Sequence, residues 1–269
     1  MSNAQSPPDA LVPVKALVFD IMGTMTDCLS PLRDALDAHA PAGEAAQYWN
    51  AEQFARDWRA GVTKRTKEGY LSPEEIYRSV FDGLCAQRGI DHIVWDDAIR
   101  KRIVDAWRNM PALIDTVRGM DLLRTKYILV GLTNNSAGVM VDVHKKAGMN
   151  FDLLLTANIV EAFKPNPRSY QAVLSALGLK GGEVAMVAAH SYDLRAAREH
   201  CGFRTLYVER ATEMPLEPED SRDMDVLARE FDVVIRETPD SPDGGLVALA
   251  RALGIVFEDD TKPGFSAFV

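Results

Sequence analysis

The sequence predicts an α/β protein, a parallel sheet with a helical lid inserted after its first strand. Three observations carry that reading. Apolar runs of strand length stop abruptly at polar clusters, and the later runs are followed by helical patterns closed by glycine. Between the first run and the second lie roughly 80 residues of helical rather than strand character, too many for a simple crossover.

Residues 1–12 carry no basic stretch and no apolar run of leader length, and are expected to form a flexible tail. Ala16-Leu17-Val18-Phe19 then reads as a buried strand that stops at Asp20, with Gly23 in the turn beyond. The helical segment spans 32–110. In it, Ser72-Pro73-Glu74-Glu75 is a capping box with proline at the first helical position, and Ile76, Val80, Phe81 and Leu84 mark one apolar face up to Gly89. A second helix carries Ile99, Ile103 and Trp107 and ends before Pro111. Such an insertion is expected to be a separate lid over the active edge of a core made from 13–31 and 111–269.

The second strand, Tyr127 to Leu132, ends in Thr133-Asn134-Asn135-Ser136, and its helix closes at Gly148. Lys164 precedes Pro165-Asn166-Pro167, where Asn166 can cap and Pro167 can start a helix bearing Tyr170, Val173, Leu174 and Leu177. The third strand, Val184 to Ala189, ends in His190-Ser191-Tyr192-Asp193, and its helix closes at Gly202. Arg204 to Val208 and Phe231 to Ile235 read as short strands and Leu246 to Leu253 as a closing helix, with no pattern from about Glu258.

Composition narrows the function. With 47% hydrophobic and 26% charged residues the chain is neither disordered nor fibrous. Thirty basic against 39 acidic residues give a net charge of -9, which makes nucleic acid and anionic membrane surfaces poor partners. No stretch approaches the ~20 apolar residues of a membrane span. Three scattered cysteines, Cys28, Cys85 and Cys201, suit neither a disulfide framework nor a zinc site, and a cytoplasmic location is expected.

In parallel sheets the working residues lie past the carboxyl ends of the strands. Asp20, Thr133, Asn134 and Asp193 are so placed, and Lys164 stands just outside a helix. Each has a plain alternative: Asp20 and Asp193 as turn or cap residues, Thr133-Asn134 as a helix cap, Lys164 as a solvated charge.

Taken in order, Asp20, Thr133, Lys164 and Asp193 resemble the haloacid dehalogenase superfamily. The segments VKALVFDIMGT, DWRAGV, WRNMPALIDTVRGM, GLTNNS, FKPNPRSY and VAMVAAHSYDLRAAREHCGFRTLYVER further resemble type II (S)-2-haloacid dehalogenases, from about Val14 to Arg210. The resemblance implies a doubly wound, Rossmann-like core with a cap. It also implies hydrolysis of short (S)-2-haloalkanoic acids to (R)-2-hydroxy acids through an aspartyl ester, with no cofactor or metal.

By the same resemblance Asp20 is the nucleophile, Lys164 its counter-ion, and Arg59 the halide-binding arginine of the lid, assisted by Asn134. Thr133, Asn134 and the turn after Asp20 hold the substrate carboxylate, Asp193 is the water-activating base, and Thr24 and Lys164 orient and neutralise the oxyanion of ester hydrolysis. Phosphatases of the superfamily place an acid two residues after the nucleophile, where this chain has Met22, which can neither give nor take a proton. Met22, Tyr170 and Tyr192 are expected in the pocket wall, the tyrosines alternatively as partners of Lys164 or as core. Where well-known members carry two serines and an asparagine, this chain has Ala188, Ala189 and His190. His190 is expected to touch the ester, the halide or Asp193, or to be a satisfied structural residue.

The partners implied are a halogenated carboxylate, halide ion and a second copy of the chain in a homodimer. Competing readings are a hydrolase of another activated small acid (fluoroacetate or a strained-ring acid), a magnesium-dependent phosphatase, and a binding protein that has lost turnover.

Overall fold

The computed structural model describes residues 8–42, 46, 49–210, 213, 223–238 and 240–255. Among these residues six strands form one sheet: β1 (Ala16–Phe19), β2 (Ile128–Thr133), β3 (Leu153–Thr156), β4 (Val184–Ala188), β5 (Arg204–Val208) and β6 (Val233–Ile235). Their order is β3-β2-β1-β4-β5-β6 and every neighbouring pair is parallel. All four residues of β1 are buried, as are all five of β4. A strand covered on both faces gains from apolar side chains on both, which is why these runs are continuous and not alternating. Leu17, Phe19, Ala185 and Val187 pack into one layer, and Ala16, Val18, Val130 and Met186 into the other.

The chain winds outward from β1 through β2 to β3, then returns to lay β4 on the other side of β1. That reversal leaves a crevice at the carboxyl ends of β1 and β4, the place where such sheets bind ligands. Register carries Asp20 to its rim: Phe19 lies opposite Gly131 on β2 and Val187 on β4, and Asp20 N–H donates to the Val187 carbonyl at 3.0 Å.

Between β1 and β2 come α1 (Ser30–Asp37), α2 (Ala51–Arg65), α3 (Pro73–Gln87), α4 (Asp97–Val104) and a 3-10 turn, Asp105–Arg108. The capping box forms as expected, with Ser72 accepting from Glu75 N–H and the Glu75 carboxylate returning to Ser72 N–H. The second helix stops earlier than its apolar spacing suggests, so Trp107 falls in the 3-10 turn. These helices share a core of fully buried Phe54, Trp58, Phe81 and Trp95. Rings of this size supply most of the apolar area that a small helical layer can bury.

The remaining helices are α5 (Thr116–Leu123), α6 (Ala137–Ala147), α7 (Ala157–Val160), α8 (Pro167–Leu177), α9 (Ser191–Cys201), α10 (Met224–Glu230) and α11 (Gly245–Ala252). Asn166 caps α8 by accepting from Arg168 N–H, with Pro167 at its first position, and α6 and α9 end at left-handed Gly148 and Gly202.

Several expectations are corrected. The strand β3 was not foreseen: its Leu153-Leu154-Leu155 lacks β-branched residues, and only one turn of helix follows it at the sheet edge. The tail of 1–12 is too long, because Asp9–Leu11 form a 3-10 turn that buries Leu11 in the core. Residues 1–7, and the unpatterned stretch from Glu258 onward, lie outside the described residues. The strand expected from Phe231 begins at Val233, since Phe231 closes α10. Among the described residues no helix is long and apolar enough to cross a membrane.

Candidate active site

Asp20 leaves β1 into a turn whose Gly23 has φ +79°, a left-handed conformation that costs glycine little. The turn brings the Thr24 hydroxyl back onto Asp20 Oδ2 at 2.8 Å, while Thr24 Oγ1 accepts from Ala189 N–H at 2.9 Å. The loop that carries Asp20 is thereby tied to the end of β4. Lys164, just ahead of α8, sends Nζ to Asp20 Oδ1 at 2.7 Å and to Asp193 Oδ2 at 2.5 Å. His190 approaches from the N-terminus of α9, with Nδ1 2.8 Å from Asp20 Oδ2.

Asn134 positions the lysine. Its Oδ1 accepts from Lys164 N–H at 2.6 Å and its Nδ2 donates to the Lys164 carbonyl at 3.0 Å, which leaves one amide hydrogen uncommitted. Tyr170 Oη donates to Asp193 Oδ1 at 2.6 Å. Thr133 Oγ1 accepts from Asn135 N–H, and Asn135 in turn bonds Met22 Sδ at 3.5 Å and accepts from Tyr77 Oη of α3 at 2.6 Å.

Above these groups lies a cavity of about 60 Å³. Asp20, Lys164, His190, Thr133 and Asn134 form its polar floor; Arg59 and Val62 of α2, Ile76 and Tyr77 of α3, Trp107, Met22 and Tyr192 form its walls. Arg59 is only 6% exposed.

The family model for haloacid dehalogenase-like hydrolases matches residues 14–200. The chain belongs to that family. An (S)-2-haloacid dehalogenase of Pseudomonas sp. (strain YL) is 24% identical over 229 residues, covering 84% of this chain and 95% of the relative. The crystal structure of an L-2-haloacid dehalogenase superposes with a TM-score of 0.73 at 27% identity, covering 89% of this chain and 99% of the other. A defluorinating L-2-haloacid dehalogenase gives the same TM-score at 25% identity, covering 89% and 95%.

In this hydrolase, some of the expected site residues lie outside the cavity. Tyr170 is not in the pocket wall but in the core, its alternative place, fully buried behind Asp193. Asp193 has 0% exposure, is absent from the cavity lining, and has both oxygens engaged by Lys164 and Tyr170. Thr24, expected beside the reacting carboxylate, is fully buried and touches Asp20 from outside the cavity.

A further acidic group was not foreseen. Glu213, 4% exposed, ion-pairs with Arg59 through Oε2, and the same oxygen lies 3.2 Å from His190 Nε2. A Cβ on Gly23 would stand 2.2 Å from Glu213 Cδ, so a side chain there would push the Glu213 carboxylate from its place, in addition to straining the positive φ. Arg210 anchors this end of the chain: Nε donates to the Thr24 carbonyl at 2.9 Å, Nη1 and Nη2 grip Asp115 at 2.6 and 2.9 Å, and the Arg210 carbonyl accepts from Glu213 N–H. The signal available in the sequence was position, since Arg210 and Glu213 follow a fourth strand end on the same edge of the sheet.

The site groups a carboxylate chain with three cations. Burial alone would raise the Asp20 carboxyl, but the Lys164 ammonium and then His190 outweigh it and hold it well below the usual range. Burial and the neighbouring Asp20 charge raise Asp193 despite Lys164. Lys164 itself is raised, its two carboxylates overcoming desolvation. For His190 desolvation is likewise overcome, by hydrogen bonds to Asp20 and Glu213, and the imidazole is raised to about 9. Glu213 is lowered because Arg59 and His190 outweigh its burial.

Proposed function

We propose that this hydrolase cleaves the carbon–halogen bond of short (S)-2-haloalkanoic acids through an ester on Asp20 and releases the (R)-2-hydroxy acid. The observation that carries the reading is Asp20, ionised against Lys164 on the floor of a small cavity, with Met22 where a proton donor for an alkoxide leaving group would stand. A halide needs no proton to depart. Asp20 attacks the halogen-bearing carbon from the rear, the halide leaves on the opposite side, and the stereocentre inverts.

The helices of 32–110 act as the lid. Arg59 reaches the cavity from α2, and a guanidinium has five donors, so pairing one arm with Glu213 leaves others for the developing halide. The spare Asn134 hydrogen assists it. Thr133, Asn134 and the turn after Asp20 receive the substrate carboxylate, and Tyr192 shapes the wall. Lys164, held by Asn134 and Asp193, neutralises the oxyanion when the ester is hydrolysed. Free thiols at Cys28, Cys85 and Cys201 fit a reducing cytoplasm as the location.

The test is halide release from (S)- and (R)-2-chloropropionate and fluoroacetate, alongside an aryl phosphate, each with and without exhaustive chelation. Chloride released from the (S) substrate, (R)-lactate as product, and rates unchanged by chelator are expected. Magnesium-dependent phosphate release without halide would replace this reading by a phosphatase.

Arg59→Ala should lower turnover on the order of 100-fold, with a smaller change in the Michaelis constant, because the charge it meets develops as the carbon–halogen bond breaks. Steady-state kinetics on (S)-2-chloropropionate checks it. A rise in the Michaelis constant alone would make Arg59 an anchor for the substrate carboxylate.

A further inference from the structure

We propose that His190, positioned by Glu213, is the base that activates water against the Asp20 ester. This deepens the dehalogenase reading and rests on it, since it presumes that ester. Asp193, the residue expected for the step, is fully buried outside the cavity lining, holds Lys164 on one oxygen and Tyr170 on the other, and meets Asp20 through Lys164 Nζ. His190 lines the cavity and touches the reacting carboxylate directly, Nδ1 standing 2.8 Å from Asp20 Oδ2. Ala188 and Ala189 offer no hydroxyl beside it.

Glu213 makes the imidazole competent. Keeping Nε2–H on the Glu213 carboxylate fixes the neutral tautomer whose lone pair is on Nδ1, facing Asp20. The groups around His190 are the Asp20 and Glu213 carboxylates, Arg59 through Glu213 Oε2, Lys164 on the other oxygen of Asp20, and the Tyr192 ring at 5.9 Å. Before reaction Asp20 is an anion and His190 is held as the imidazolium. Attack on substrate turns Asp20 into a neutral ester, which removes one of the two anions that favoured the proton. The Nδ1 proton leaves to solvent as halide departs, so the base appears only once there is an ester to hydrolyse.

The second step balances. Nδ1 takes a proton from water as the hydroxide oxygen bonds to the ester carbonyl carbon. The tetrahedral intermediate expels the alkoxy oxygen, which takes that proton to become the 2-hydroxy acid. Asp20 is left as the carboxylic acid and returns its proton to Nδ1, restoring the ion pair.

The experiment mixes (S)-2-chloropropionate with wild type, His190→Gln and Glu213→Gln, following chloride and the intact mass of the chain. Wild type is expected to turn over. His190→Gln is expected to release a burst of one chloride per chain, accumulate an adduct of the propionate group on the peptide holding Asp20, and hydrolyse it on the order of 100-fold more slowly. In Glu213→Gln the ester should decay more slowly, and the acid limb of its decay rate should move to lower pH, because His190 has lost a carboxylate that held its proton. His190→Gln turning over near the wild-type rate, or losing the burst along with hydrolysis, overturns the assignment. If that variant does not fold, Glu213→Gln decides, and an acid limb that stays in place overturns it. Wild type that releases no halide fails the dehalogenase reading itself, which separates the two.

Discussion

Asp20→Asn should abolish steady-state halide release while leaving the fold intact. A neutral amide is a poor nucleophile, and among the described residues the neighbouring carboxylates are engaged elsewhere: Asp193 is sealed behind Lys164, and Glu213 is bound to Arg59 and His190. The fold should survive because each cation keeps one anionic partner, Lys164 on Asp193 and His190 on Glu213. A folded variant with more than a few per cent of wild-type activity would remove Asp20 from the role of nucleophile. Isotope labelling of the wild type then distinguishes nucleophile from general base. In a single turnover in oxygen-18 water the 2-hydroxy acid should be unlabelled and one label should appear in the peptide containing Asp20, because the product oxygen comes from the carboxylate. Label in the first product would mean that water attacks the substrate carbon and that Asp20 only takes its proton.

Much of this arrangement is legible from residue patterns, for a physical reason. A strand buried on both faces must be continuously apolar, so Ala16–Phe19 and Val184–Ala188 stand out, and the first polar residue after each is forced to the sheet's edge. Asp20 and His190 are found there by that logic alone. Glycines closing α6 and α9 and the Ser72 box are equally local, since each satisfies backbone groups within a few residues. What escapes is set by distant pairing. Nothing near Asp193 in sequence says that Tyr170 and Lys164 each bond one of its oxygens, so its burial away from the cavity is not legible there. Glu213 is opaque for the same reason: its partners Arg59 and Gly23 are more than a hundred residues away, and its value lies in the cation it neutralises. Leu153–Leu155 escaped because an edge strand is specified by the neighbour it pairs with more than by its own composition.

Lys164→Met should cost both activity and stability, more than any other single change at the site that leaves Asp20 in place. Methionine approximates the lysine stem but leaves Asp20 and Asp193, both buried, without their shared cation. Breaking a buried ionic network from one side costs about 3–5 kcal/mol, so the melting temperature at pH 7 should fall by roughly 10 °C. Turnover should fall on the order of 1000-fold, since the oxyanion of ester hydrolysis loses its counter-charge as well. The pH dependence has a definite sign. In the wild type the lowered Asp20 contributes stability that is present above the unfolded value near 3.8 and is lost as pH falls through the folded one. In the variant Asp20 keeps His190, but Asp193 is left buried beside the Asp20 charge with no cation, so it is raised further and holds a proton in the folded state that it does not hold in the unfolded one, and stability is lost as pH rises through its folded value. Thermal unfolding from pH 7.5 down to 5 should therefore show the gap between variant and wild type narrowing. A gap that is constant across that range would mean that Lys164 packs against the two aspartates without setting their charge, and the ionised nucleophile would need another source.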